Sequence, residues 1–516
     1  MPRWFNTAGP CNPANHYMIP ASRRLPEVRR LIEQENYFVV HAPRQVGKTT
    51  ALLSLASELT SEGRHVAVLV SMEVGAAFPK DIGAAEAAML DSWRSAARAQ
   101  LPSASTPPAF PDAPPGRRIG TALETWAQAV PTALVIFLDE IDALRDEVLV
   151  SVLRQLRDGY RNRPKLFPSS LALVGLRDVR DYKVAAGGGD TLGTASPFNI
   201  KVESLTLRNF TRDEVAELYA QHTADTGQPF LPEAVNRAFY WSQGQPWLVN
   251  ALARQMVEQL VPDPAQPLTA AHADAAKEIL LRRQDTHLDS LTERLREPRV
   301  RGILEPILAG LVLGDVPSDD LRFVQDLGLV RMAEKGGLEI ANPLYREIIP
   351  QVLANTAFAS LPPQSVTWRR ADGRLDMERL MEAFLAFWRQ HGQPLLGTAP
   401  YHEIAPHLVL MAFLHRVANG GGTLEREYAI GTGRMDLCLR YGPDTLALEL
   451  KVWRDGEKDP LDDGLAQLDG YLAGLGLTTG WLVIFDRRSG QPPIAERTQA
   501  TQALTPAGRR VTVLRA

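Results

Sequence analysis

The stretch from Tyr37 to Thr50, Y-F-V-V-H-A-P-R-Q-V-G-K-T-T, limits the fold of this chain more than any other. A short apolar run enters a loop containing Pro43 and Gly47, and the loop opens a helix near Lys48. A strand, tight loop and helix in that order turn successive backbone N–H groups and a helix N-terminus toward one point, which suits an anion. The pattern reads as a phosphate-binding loop made of Ala42, Pro43, Arg44, Gln45, Val46, Gly47, Lys48, Thr49 and Thr50. In such a loop Lys48 reaches the β and γ phosphates of a nucleotide and the Thr49 hydroxyl coordinates Mg²⁺. Ala42 stands where G-x-x-x-x-G-K-[ST] has its first glycine, so the loop entry has to tolerate a methyl group.

A second anchor lies downstream. Ala133 to Leu138 is an apolar run ending in Asp139-Glu140-Ile141-Asp142. Carboxylates at the end of a strand buried on both faces are costly unless they are used. Asp139 is the candidate to hold Mg²⁺, and Glu140 the candidate to orient the water that attacks the γ phosphate. Further apolar runs at Arg64–Ser71, Ser170–Gly175 and Phe198–Leu207 alternate with helical stretches, so the fold class is α/β with a P-loop core. Arg177, at the tip of the Ser170–Gly175 strand, is a γ-phosphate sensor candidate or a surface arginine paired with Asp178 or Asp181. The Pro- and Ser-rich segment from Leu101 to Arg118 reads as a loop or disordered excursion inside this domain.

The chain has 516 residues, enough for three or four domains. A net charge of -4 excludes a globally basic nucleic-acid coat, so any polyanion site is local. Two cysteines, Cys11 and Cys438, support neither a disulfide framework nor a zinc site. No apolar run is long enough to span a membrane, and a cytoplasmic location is expected. The boundaries read as an arm at 1–28, in which His16-Tyr17 either stacks on the base or simply packs, then a P-loop core at 29–207. A helical lid at 208–285 follows, then a winged helix at 286–357, a linker at 358–374 and an α/β domain at 375–516. The helix expected at Asp319 to Leu327 carries Asp319, Asp320 and Asp326 against Arg322, which favours a packing or regulatory winged helix over a DNA-reading one. The arginines from Arg282 to Arg301 form either a polyanion patch or a helix laced with ion pairs.

In Leu446 to Val452 the alternation places Ala447, Glu449 and Lys451 on one face. Asp436, near the start of the neighbouring strand, converges on them. Two carboxylates and the Leu450 carbonyl are hard oxygen ligands for Mg²⁺ or Mn²⁺, and an ammonium beside them positions or activates a water.

Two resemblances follow from these residues. The loop, Asp139-Glu140 and the Gly244-x-Pro246 turn in Y-W-S-Q-G-Q-P-W-L-V resemble the AAA-like group of P-loop ATPases, including the archaeal-type and signal-transduction families. That resemblance implies ATP as the nucleotide, with Gly244 and Pro246 against it. Asp436, twelve residues, then Glu449-x-Lys451 resembles the PD-(D/E)xK nuclease superfamily. It implies that Gln467 and Tyr471 match the Q-x-x-x-Y element that orients the site lysine and contacts DNA. Glu403 then serves as the early metal-binding acid, with Glu382 as its alternative. Over nearly the whole chain, runs such as F-N-T-A-G-P at 5–10 and W-L-V-I-F-D at 481–486 resemble bacterial proteins joining an AAA-like ATPase to this nuclease type. The function implied is an ATP-controlled, Mg²⁺-dependent nuclease acting on nucleic acid, DNA ahead of RNA, in a homo-oligomer without membrane association. The alternative is an ATP-dependent signalling or scaffold protein whose nuclease-like domain binds nucleic acid without cutting it.

Overall fold

A computed structural model describes residues 3–20, 23–176, 200–283, 294–295, 297–308, 313, 316–333, 336–349, 368–370, 372–398, 405–418, 422–430 and 433–516. The chain divides into two compact units. The first comprises Met1–His287, Pro317–Gly337 and Ala341–Pro343, and the second comprises Leu288–Val316, Leu338–Ile340 and Leu344–Ala516. The elements expected over 286–357 are therefore shared between the units, with helix Ser318–Asp326 in the first and helix Pro298–Leu308 in the second.

The first unit is built on five parallel strands, β1 (Tyr37–His41), β2 (His65–Ser71), β3 (Ala133–Asp139), β4 (Ser170–Gly175) and β5 (Lys201–Thr206), in the order β2-β3-β4-β1-β5. Strands such as V-V in β1 and L-V-I-F-L in β3 are apolar on consecutive residues because helices cover both faces of the sheet. One core holds Trp93, Trp126, Leu153 and Phe167 against one face. The other holds Leu31, Leu52, Leu55 and Phe38 against the opposite face. All strands being parallel, their C-terminal ends share one edge, where the Lys48–Ser61 helix begins and β3 delivers Asp139. This is the P-loop NTPase fold.

The segment at 101–118, read as a loop or disordered excursion, is a loop, and it is tied down. The Trp126 indole donates to Ser105 O at 3.2 Å, Gly116 N–H donates to buried Glu86 at 2.9 Å, and Arg94 lies over Phe110. Buried backbone partners hold it where composition alone suggested freedom. Helices Arg212–Thr226, Pro232–Ser242, Pro246–Arg254 and Ala270–Arg283 follow over 208–285, the stretch expected to be helical. Thr211 and Glu214 form a reciprocal cap on the first of these.

The second unit contains a six-stranded mixed sheet. Strands β6 (Val330–Met332) and β7 (Leu338–Ile340) precede its members, β8 (Gly422–Ile430), β9 (Gly433–Tyr441), β10 (Asp444–Trp453), β11 (Thr479–Asp486), β12 (Gln499–Leu504) and β13 (Arg510–Arg515). The sheet order is β12-β13-β11-β10-β9-β8. Helix Leu461–Leu475 lays Leu465, Leu468 and Leu472 on Cys438, Ala447, Leu482 and Ile484. On the other face Trp388 and His407, from helices Met377–Thr398 and Ala405–Ala418, meet Phe485 at ring distances of 5.1 and 5.7 Å. The β12-β13 hairpin is an addition that the sequence reading did not anticipate.

Candidate functional site

In the first unit the loop leaves β1 with Ala42 fully buried and its N–H donating to Gly175 O at 3.3 Å. Ala42 thus continues the strand at negative φ, and this is why the methyl group is tolerated. The positive φ values fall later, at Gln45 (59°) and Gly47 (83°), where the chain turns into the helix. Arg44 and Gln45 are exposed, while Val46 is buried.

Lys48 folds back so that Nζ donates to Ala42 O at 2.7 Å and Pro43 O at 2.8 Å. Its ammonium is pushed down to about 8, first by burial, against the pull of Asp139 and Asp142. Thr49 Oγ1 donates to Asp139 Oδ2 at 2.7 Å, so the two expected Mg²⁺-binding groups already touch. Asp139 is 3% exposed, and its carboxyl is raised by burial, with the Thr49 hydroxyl and the Glu140 N–H acting in the opposite direction. Glu140 stands at φ 58° and accepts from Ser71 Oγ at 2.8 Å. Its carboxyl is raised by desolvation, with Glu73 and Asp139 adding to the shift. Asp142 accepts from Leu176 N–H at 3.3 Å, which joins the ends of β3 and β4. Arg177 lies outside the described residues.

The Gly244-x-Pro246 turn approaches the loop through the residue between them, since Gln245 Nε2 lies 3.5 Å from Gln45 O and Gln245 Oε1 caps its own helix at Leu248 N–H, 2.6 Å away. Gly244, at φ 72°, receives Phe210 N–H on its carbonyl at 2.8 Å, and a Cβ there would lie 1.9 Å from Phe210 O. The glycine is required by the Phe210 backbone. Pro246 is buried at the start of its helix.

Contacts to the loop and its surroundings from three places in the chain, Arg24, Cys11 and 326–331, escaped the sequence reading. Arg24, 6% exposed, donates to Val46 O at 2.8 Å and to Arg208 O, and lies over Phe210 at 4.8 Å. Burial pushes its guanidinium down to about 10. The Cys11 N–H donates to Thr50 Oγ1 at 3.0 Å, so Thr50 anchors the arm. Gly328 abuts the Pro43 ring, Asp326 lies 4.0 Å from His41, and Arg331 donates to Gln243 Oε1 at 2.7 Å. An isolated arginine in an arm carries no pattern, and contacts at this sequence separation leave none.

Tyr17 does not stack on a base. It is 1% exposed among Phe5 and His222, to which its hydroxyl bonds at 3.3 Å, while His16 meets Trp4 edge-on. Among the described residues of 294–301, Arg294 and Arg299 both pair with Glu297, which favours the ion-paired reading of that segment.

In the second unit β9 and β10 pair antiparallel, with Leu437 opposite Leu448, and this register brings Asp436 beside Glu449 and Leu450. Asp436 Oδ2 accepts the Leu450 N–H at 2.8 Å. Lys451 Nζ donates to Glu449 Oε1 at 2.8 Å and to Gln467 Oε1. Glu449 is 3% exposed, and its Oε2 is buried without a partner among the described residues. Desolvation first, and then Asp436, push its carboxyl up to about 7 despite Lys451. Tyr471 is half-buried on the same helix as Gln467, with its phenol raised by burial and by Glu449 and Asp436.

Thus Asp436, Glu449, Leu450, Lys451, Gln467 and Tyr471 are brought together. Glu403 lies outside the described residues, and Glu382 is exposed on its helix. Among the described residues no three His, Cys, Asp or Glu side chains cluster as a ready metal cage. What stands there is a pair of acids. The orphaned Oε2 of Glu449 is what a hard cation would satisfy, and the oxygen donors match one.

No protein-family model matches the chain, and no curated protein matches it. Solved structures similar to it include the Walker-type ATPase PABY2304 of Pyrococcus abyssi, at 14% identity and TM-score 0.47, covering 67% of this chain and 99% of that one. The ORC2 protein of Aeropyrum pernix in ADPNP-ADP complexes is 13% identical at TM-score 0.40, over 66% of this chain and 93% of that one. The RuvB Holliday junction branch migration motor of Thermotoga maritima is 15% identical at TM-score 0.34, over 64% and 93%. No helix among the described residues is long and apolar enough to cross a membrane.

Proposed function

We propose that the first unit is an ATP-binding, slowly hydrolysing switch and that the second is a Mg²⁺-dependent nuclease under its control, cutting DNA in preference to RNA. The observation that carries the hydrolytic reading is the buried, unpartnered Glu449 Oε2 beside Asp436, within reach of a lysine held by Gln467. A buried carboxylate with one oxygen left open is expensive in a structural role. It is useful where a cation and a phosphoryl group are to be held.

In this reading Asp436, Glu449 and the Leu450 carbonyl are the oxygen donors that would hold Mg²⁺ or Mn²⁺. The cation supplies charge neutralisation for the phosphoryl oxygens. Lys451, oriented by Glu449 and Gln467, positions the attacking water, and Tyr471 flanks the strand. At the first site Lys48 gives up Ala42 O and Pro43 O for the nucleotide phosphates. Thr49 and Asp139 are the residues that would hold Mg²⁺ there, and Glu140 is placed to orient the water. The raised Glu140 carboxyl and the Ala42 entry suit slow turnover, below the typical enzyme value of about 10 per second. Residues 286–357 act as a packing or regulatory winged helix, and the assembly is homo-oligomeric. Defence against foreign DNA, or its mobility, is a role compatible with this chemistry.

The competing reading is a second unit that binds nucleic acid without cutting. Supercoiled, linear and single-stranded DNA, and RNA, incubated with wild type, Asp436→Ala and Lys48→Ala in Mg²⁺ or Mn²⁺ separate the two. Metal-dependent cleavage lost in Asp436→Ala is expected. Its absence from the wild type on every substrate refutes the nuclease, and identical cutting by Lys48→Ala with ATP, ADP and no nucleotide refutes the control.

A further inference from the structure

The two acids of the second site belong to a longer row that the strand registers define. In the sheet β9 lies between β8 and β10. On one side Leu437 stands opposite Leu448, and the next pair along sets Asp436 opposite Glu449. On the other side the antiparallel register runs without a shift from Arg426 opposite Leu437 to Tyr428 opposite Met435, so position 427 falls opposite Asp436. Glu427, Asp436 and Glu449 therefore occupy one line across three adjacent strands. Alternation fixes their shared face, since two residues along each strand Glu425, Cys438 and Ala447 form the parallel line, and Cys438 and Ala447 pack against Leu465, Leu468 and Leu472 of helix Leu461–Leu475.

Neighbouring strands lie about 4.8 Å apart, so Asp436 has a glutamate position beside it on each strand. Like charges directly opposite one another on a sheet face are destabilising. Lys451 offsets one end of the row, donating to Glu449 Oε1 at 2.8 Å and also to Gln467 Oε1. That offset is incomplete, because Glu449 Oε2 is buried without a partner among the described residues. Asp436 is held in the line by its backbone neighbour, with Oδ2 accepting the Leu450 N–H at 2.8 Å. Arg434, opposite Ala429, stands diagonal to position 427 and is the competing partner for a glutamate there. Acids in a row with a buried open oxygen call for a compact positive charge among them, and a divalent cation coordinated by carboxylate oxygens meets that need.

We propose that Glu427 is the third carboxylate of this cation site, so that Asp436 holds the ion together with a glutamate from each neighbouring strand. This rests on the reading of Asp436 and Glu449 as a cation site, and not on cleavage. Against Lys451 the pair of acids leaves a single negative charge, and a third acid makes it two, the charge of one Mg²⁺ or Mn²⁺. The proposal gives to β8 the role that the nuclease resemblance assigns to Glu403 or Glu382, of which Glu382 is exposed on its helix.

The test is Mn²⁺ binding to the full chain without nucleotide at pH 8, read at Cys438, which is fully buried two residues from Asp436 and confines the readout to the second unit. Protein held in urea near its unfolding midpoint is pulsed with an alkylating reagent over a series of Mn²⁺ concentrations, and protection of Cys438 gives the apparent affinity. Glu427→Gln is expected to weaken that affinity by about tenfold or more, a loss that removing an outer-shell partner alone can reach, with Glu427→Asp in between. In EDTA, Glu427→Gln is expected to unfold at the same urea concentration as wild type or a higher one, because it relieves repulsion in the row. A lower midpoint in EDTA with unchanged Mn²⁺ affinity assigns Glu427 to an ion pair with Arg434 and overturns the proposal. Affinity lost in Glu403→Gln but kept in Glu427→Gln overturns it as well and returns the third acid to the position that the resemblance names. If Mn²⁺ protects wild type but not Asp436→Ala, and Glu427→Gln matches wild type, the cation site stands and the third acid alone falls. No protection of wild type at any Mn²⁺ concentration removes the site and the proposal together.

Discussion

Glu449→Gln turns the buried carboxylate into a measurable quantity. A carboxyl of usual value near 4.5 that is raised to about 7 in the folded protein binds its proton more tightly there than in the unfolded chain. The folded state therefore holds more protons between those two values, and stability falls as pH rises through that window. The penalty is about 1 kcal/mol near pH 5 and about 3 kcal/mol at pH 8, where the group is charged in both states. Glutamine keeps the shape, retains an oxygen for Lys451 Nζ and removes the charge. In EDTA the variant is expected to be more stable than wild type by up to about 3 kcal/mol at pH 8, with the gain shrinking to about 1 kcal/mol at pH 5.

Cys438 is a convenient reporter, being fully buried in the core cluster that includes Ala447 on β10. Protein equilibrated in urea at each pH is pulsed with an alkylating reagent under one fixed condition, and labelled Cys438 is read by peptide mass. Mg²⁺ adds a second arm: it is expected to stabilise wild type at pH 8 by mass action and to leave Glu449→Gln unchanged. A variant less stable than wild type at pH 8, or a difference that does not vary with pH, refutes the argument that this carboxylate is held against its own desolvation.

Two further outcomes concern the first unit. Gly244→Ala places a Cβ against Phe210 O and forces a left-handed residue to carry a side chain, so the Gly244-x-Pro246 turn has to move. A loss of about 2–3 kcal/mol is expected from the clash and strain, together with weaker nucleotide binding in a fluorescent-ATP titration; unchanged melting excludes the packing described. Arg24→Ala leaves Val46 O and Arg208 O without their buried donor, which is expected to destabilise by about 2–3 kcal/mol and to weaken ATP binding, with Arg24→Lys intermediate. Wild-type affinity in Arg24→Ala shows that the loop holds its shape without the arm.

Local pattern determined a good deal of this protein. The loop from Ala42 to Thr50, the acids after β3 and the positions of the first sheet's strands along the chain are legible because a phosphate loop is continuous in sequence and a doubly covered strand is apolar on both faces, whereas the sheet order β2-β3-β4-β1-β5 is not. The alternation around Glu449 and Lys451 likewise set those two side chains on one face before any partner was known. Tertiary structure decided what depends on residues far apart. It placed Arg24 on Val46, bound Thr50 to Cys11, gave Gly244 its reason in the Phe210 backbone, and drew Tyr17 into an aromatic core rather than toward a base. It also left Glu449 Oε2 without a partner among the described residues. Burial and unsatisfied charge arise only when separate segments close around a group and exclude water from it, and composition along a single segment carries no record of that closure.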